Sequence, residues 1–172
     1  MVRKIEIVPY NPEWPIKFEE EAELIHAILG NVLVEIHHVG STAIPGMSAK
    51  PIIGMLPVVN DIQCVEEYNP QFIEEGYEPR GELGLPGRRY FSKGGDEISH
   101  HLHIYQVENP EIERHLAFRD YMIVYPNEVQ AYEILKKRLA RKFPSDINAY
   151  CDGKDAFIKE RERRALAWKE NL

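Results

Sequence analysis

A chain of 172 residues with 44% hydrophobic and 28% charged residues has the make-up of a globular protein long enough to bury a core, and one domain over residues 1–172 is expected. A formal net charge of -7 and a pI near 5.5 argue against duplex nucleic acid as a partner, and no run approaches the ~20 apolar residues of a membrane-crossing helix. Cys64 and Cys151 fit neither a zinc pattern nor a disulfide framework, and Met1-Val2-Arg3-Lys4-Ile5-Glu6 is no apolar leader, so a cytoplasmic setting is expected.

Residues 5–9 read as a short strand, stopped by Asn11-Pro12, a cap followed by proline. A helix to Leu29 follows, with Trp14, Phe18, Ala22, Ile25 and Leu29 as its buried stripe and Gly30 as its end. Residues 32–39 and 51–59 are strands. Val32, Val34 and Ile36 share the apolar face of the first, and Pro57 gives the second an edge, a bulge or an early end. Asp61 caps a helix carrying Ile62, Val65, Phe72 and Ile73, interrupted at Asn69-Pro70 and closed by Gly76. Strands follow at 77–80, 89–92 and 99–107. The rest is helical: Asn109 to about Tyr125, then 128–143, a short turn at Pro144-Ser145-Asp146, and 154–168 after Asp152-Gly153. This order predicts an α+β fold, a mixed sheet with helices mainly on one face and a C-terminal helical segment.

The stretch between the second and third strands carries the most chemistry. Gly40 and Gly46 let the backbone turn or approach a ligand, and Ser41, Thr42 and Ser48 supply hydroxyls. No acidic residue occurs between Ile36 and Asn60, and Lys50 adds a positive charge, so the loop suits an anion. A Walker A loop is excluded, because Met47 follows Gly46. Two readings stay open: a plain Gly/Pro turn, and the Gly-Ser turn of the nucleotidyltransferase fold.

Further candidates lie downstream. Arg80, Arg88, Arg89 and Lys93 share a segment in which Glu82 is the sole carboxylate before Asp96; guanidinium forks suit phosphate, although Arg88 and Arg89 point to opposite faces of a strand. His101 and His103 share one strand face and are candidates for acid–base work or, with His38, for metal binding. Arg119 and Lys154 are candidate phosphate contacts.

The run HHVGSTAIPGMSAKPII at 37–53 resembles the signature of the GrpB family, which is related to the nucleotidyltransferase superfamily and to the C-terminal domain of some dephospho-CoA kinases. The blocks PGRRYF at 86–91, HHLH at 100–103, RHLAFRDY at 114–121 and YCDGKDAFI at 150–158 resemble family blocks in family order, so the likeness covers essentially the whole chain. It implies a nucleotidyltransferase-like fold, with Gly40 and Ser41 against phosphates and Mg or Mn if the chain is catalytic. One departure stands out. Gly54 occupies the place where members usually carry an Asp, and Leu56 the next place of the Asp-x-Asp/Glu pattern that holds the metal.

Two functions follow from the resemblance. One is a nucleotidyltransferase-like enzyme using substitute carboxylates such as Glu35, Glu82 or Asp96. The other is a nucleotide-binding or regulatory module that lost its metal carboxylates and senses a small phosphate-bearing ligand or acts through a protein partner. A histidine-based metal hydrolase is a third, weaker alternative.

Overall fold

Asn11 opens the first helix twice over, its carbonyl accepting from the Trp14 amide (3.0 Å) and its side chain from the Glu13 amide (2.9 Å). Residues 4–172 are described by the structure, a computed structural model; the reading of Met1-Val2-Arg3 lies outside them. Helix α1 (Trp14–Leu29) buries the stripe expected from its spacing, Trp14, Phe18, Ala22, Ile25 and Leu29, together with Glu21. The strand expected at residues 5–9 reduces to one bridge, Val8 exchanging both backbone hydrogen bonds with Ala49.

Among the described residues five strands form one sheet: β1 (Leu33–Val39), β2 (Ile53–Val59), β3 (Tyr77–Pro79), β4 (Arg88–Lys93) and β5 (His100–Gln106), in the order β1-β2-β5-β4-β3. The β2–β5 pair is parallel and the other pairs are antiparallel. β2 lies inside the sheet and continues past Pro57, which pairs with Ile36, so this proline makes neither an edge nor an early end; the irregularity is in β1, which shifts register between Leu33 and Glu35, and the intervening Val34 turns out to solvent instead of joining the apolar face.

The sheet is covered on both sides. Ile53, Met55, Val59, Leu102 and Ile104 pack against α1 and against Phe72 of α2 (Asn69–Glu74), a short helix that follows a 3-10 stretch over Ile62–Tyr68. Ile73 is exposed rather than buried, because the break at Asn69-Pro70 leaves Phe72 as the inward residue of so short a helix. On the opposite face Val39, Leu56, Val58 and Tyr105 meet Ile112 and Leu116 of α3 (Pro110–Val124). Helices α4 (Pro126–Lys142) and α5 (Ile147–Glu170) complete the C-terminal segment. The turn expected before the last helix does not separate from it: α5 runs unbroken through Gly153, where a Cβ would stand 2.5 Å from Leu139 Cδ2, so this glycine lets α5 lie close on α4.

On the α1 side, Glu21 forms a buried polar node. Its carboxylate accepts from Tyr77 Oη (2.5 Å) and from Lys93 Nζ (2.8 Å). Burial raises its pKa, yet the hydrogen bonds from Lys93 and Tyr77 outweigh burial and hold it below the ordinary value. Among the described residues no helix is long and apolar enough to cross a membrane.

Candidate functional site

Strand β1 ends at Val39, and the backbone at once takes φ +78° at Gly40 and again φ +81° at Gly46, a region that strains residues with a Cβ. One 3-10 turn, Ser41–Ala43, lies between them. The loop is anchored by its own apolar side chains: Ile44 and Met47 are fully buried against Met122 and Tyr132, with Phe157 packed alongside. Thr42 Oγ1 donates to the Ile52 carbonyl (3.2 Å) and meets His38 Nε2 (2.9 Å), so its hydroxyl ties the loop to the start of β2.

Helix α4 holds the loop from the other side with two residues one turn apart. Glu133 Oε2 accepts from the Ser48 amide (2.9 Å), and Lys136 Nζ donates to the Ser48 carbonyl (2.7 Å) and to Ser41 Oγ (3.0 Å). Lys136 is only 2% exposed.

A cleft of about 210 Å³ opens between this loop, β2, β5 and the helices. Lys50, Lys136 and Lys154 all line it, with Gly40, Ser41 and Thr42, and no Asp or Glu does. Tyr150 lies beneath two of the cations, its ring centroid 5.1 Å from Lys50 Nζ and 4.7 Å from Lys154 Nζ, while Lys136 Nζ sits 4.5 Å over the Tyr132 ring. Burial, then the charge of Lys154, lowers the Lys136 pKa to about 7; burial, then Lys50, lowers that of Lys154 to about 8. Among the described residues neither Lys136 nor Lys154 forms an ion pair with a carboxylate.

His101 and His103 reach the same cleft from β5, joined by His115 of α3. The rings form a row with Tyr90 of β4: Tyr90 lies 5.3 Å from His101 and 5.2 Å from His103, and His103 lies 5.3 Å from His115. Burial, followed by neighbouring positive charge, drives His103 well below its ordinary pKa and His115 to about 3, so both are neutral at physiological pH. His103 Nδ1 is buried and has no hydrogen-bond partner among the described residues.

Other candidates lie elsewhere. His38 faces α1, stacked on Phe18 at 4.9 Å, with burial and then Arg119 lowering its pKa to about 4; it does not join the other histidines. Arg119 donates to Asp120 (2.9 Å) and to the His38 carbonyl (3.2 Å), bracing the strand end behind the loop. Arg88 donates to the carbonyls of Glu82 (3.1 Å) and Leu83 (2.8 Å), and Arg89 pairs with Glu66 and Glu82. None of these four lines the cleft.

The divalent ion implied by the fold finds no suitable donors here. Mg and Mn favour carboxylate oxygens, whereas the cleft offers ammonium, imidazole and hydroxyl groups. Leu56 is fully buried against Tyr105, and Glu35 and Glu82 are engaged with His37 and the Gly87 amide. Asp96 lines an adjoining cavity instead. Among the described residues no three His, Cys, Asp or Glu side chains are placed to share a metal, which leaves the histidine hydrolase without a centre. At Gly54 a Cβ would stand 2.7 Å from the Val39 carbonyl oxygen, so the strands close up on the missing side chain. Gly54→Asp is therefore expected to lower stability by about 1–3 kcal/mol in urea unfolding, with backbone displacement as the cause.

Lys136, Tyr132, Tyr150 and His115 escaped the sequence reading. Lys136 had a legible signal: it falls four residues after Tyr132 and three before Leu139, inside an apolar stripe where a lysine is out of place. His115 and Tyr150 carried none beyond lying in blocks of the family pattern.

Comparison with known proteins agrees with this architecture. YqkA of Bacillus subtilis is 49% identical over 168 residues, covering 98% of this chain, which spans about half (49%) of YqkA's length. The crystal structure of the conserved protein GrpB from Enterococcus faecalis superposes with a TM-score of 0.93 at 44% identity, over 95% of this chain and 99% of that one. The Cid1 poly(U) polymerase shares the fold alone, with a TM-score of 0.53 at 16% identity over 80% of this chain and 43% of Cid1. The family model described as GrpB protein matches residues 4–164, and the chain belongs to the GrpB family.

Proposed function

We propose that the chain binds the phosphate of a nucleotide or other phosphate-bearing small molecule against the Gly40 loop, without a divalent ion. The observation that carries this is the pair of desolvated lysines, Lys136 and Lys154, brought with Lys50 to a glycine loop in a cleft without carboxylate walls. Repulsion among the ammonium groups is relieved when a dianion enters, and Ser41 Oγ adds a hydroxyl. Structures of Cid1 hold MgGTP and Mg 3′-dATP; the present chain has the same fold with lysines prominent in its cleft, which supports retained anion binding more than retained metal chemistry. The reading is thus a binding or regulatory module rather than an active nucleotidyltransferase.

Sulfate, a dianion at every relevant pH, tests it directly. At a hundred times its dissociation constant it should stabilise the chain by about 2.7 kcal/mol in thermal unfolding, with chelator present. Affinity should fall about tenfold between pH 6 and pH 9, because Lys136 and Lys154 lose their protons through about 7 and about 8, and binding at pH 8 should take up protons. A shift seen only with nucleotide plus Mg or Mn would favour the enzyme instead, and a flat response to all of these would remove the phosphate reading.

A further inference from the structure

The lysine cleft is smaller than the sites of about 300–1,000 Å³ that enclose a whole small-molecule ligand, so it has room for a phosphate and little more. A second chamber of about 450 Å³ adjoins it, and Lys50, Ile52 and His101 line both. Its character is different. Ile5, Pro51, Ile98 and Ile147 supply apolar wall, and the charges of Glu6 and Asp96 are matched by those of Lys4 and Lys50.

Resting on the phosphate reading above, we infer that the ligand is a phosphomonoester with an apolar, uncharged body, its phosphate among the three lysines and its body in the second chamber. The cationic cleft and the charge-balanced, apolar-walled chamber suit different ends of one ligand. With Glu6 and Asp96 balanced by Lys4 and Lys50, the outer chamber has no surplus of cations for a second phosphate, whereas an apolar ring would cover Ile147, which is 48% exposed. Lys50 stands on the shared wall, where the phosphate and the body join.

Cys151 gives a direct readout, because this exposed thiol lines the outer chamber while the other cysteine, Cys64, lies beside Asp61. In a Cys64→Ser chain, phenyl phosphate is expected to bind about tenfold tighter than inorganic phosphate in calorimetry. It should also slow alkylation of Cys151 by iodoacetamide, which inorganic phosphate should leave unchanged. Ile147→Asp, at an exposed first position of α5, should erase the tenfold advantage and leave inorganic phosphate affinity intact. Equal affinity for the two probes, or tight binding of phenyl phosphate with Cys151 unprotected, overturns this inference and leaves the phosphate site standing. Failure of both probes to bind overturns the phosphate site, and this inference with it.

Discussion

Lys136→Met is expected to abolish sulfate-induced stabilisation while making the unliganded chain more stable at pH 6. Methionine matches the length of most of the lysine side chain and suits its 2% exposed setting above Tyr132. The lysine's fall from 10.5 to about 7 means its charge costs the fold on the order of 5 kcal/mol when fully protonated. Substitution strands the Ser48 carbonyl, a loss of about 1–3 kcal/mol. A net gain of about 2–4 kcal/mol is the expected balance at pH 6. The difference from wild type should shrink as pH rises from about 7 toward 10.5, where the folded lysine is already neutral and its unfolded counterpart follows. Urea unfolding at pH 6 and pH 9, with and without sulfate, reads both effects. A destabilised variant that still responded to sulfate would contradict the role given to Lys136.

On the opposite side of the sheet, Glu21→Ala is expected to cost about 3 kcal/mol at pH 7, among the largest effects of any single polar substitution here. It removes the acceptor of two hydrogen bonds at once, leaving the Tyr77 hydroxyl buried without a partner and Lys93 without its counter-charge. Tyr77→Phe, which removes one donor and strands only part of the carboxylate's capacity, should cost about 1 kcal/mol. Because the folded pKa of Glu21 lies below the ordinary 4.5, its contribution is present above that pH and is lost as pH falls through the folded value. The gap between the Glu21→Ala chain and the wild type should therefore narrow as pH falls through the folded pKa of Glu21, and a gap of constant size from pH 7 downward would show that cavity formation, not the ionised node, explains the loss.

Sequence periodicity was most informative where one local period decides the outcome. The apolar stripe of α1 emerged from its spacing, since a helix of sixteen residues on a sheet has one apolar face to bury, but Glu21, whose acidic neighbours place it with the solvent face, is buried as well. The Gly40 loop was legible for a similar reason: positive-φ glycines and hydroxyls leave a compositional mark before any tertiary contact is known. Prediction failed where packing overrode pattern. Gly153 looked like a helix boundary and is a close-packing position, Val34 looked like core and is expelled by a bulge, and His38 shares a strand with the loop while facing away from its cleft. The cations show the limit best. Arg88 and Arg89 were attractive by chemistry, but acceptors on neighbouring segments claim them, whereas the stripe position of Lys136 marks it as buried without naming the loop residues, Ser41 and Ser48, that it meets.

That contact also governs timing. Lys136 is 95 residues from Ser41 and 88 from Ser48, so the loop's grip is expected to close late, after the C-terminal helices have found the sheet. Contacts formed after the folding transition state slow unfolding rather than speed folding. A ligand bridging the loop to α4 and α5 would consequently act as a kinetic latch: the folding limb of a chevron plot would stay in place, while the unfolding limb would drop as the ligand is added.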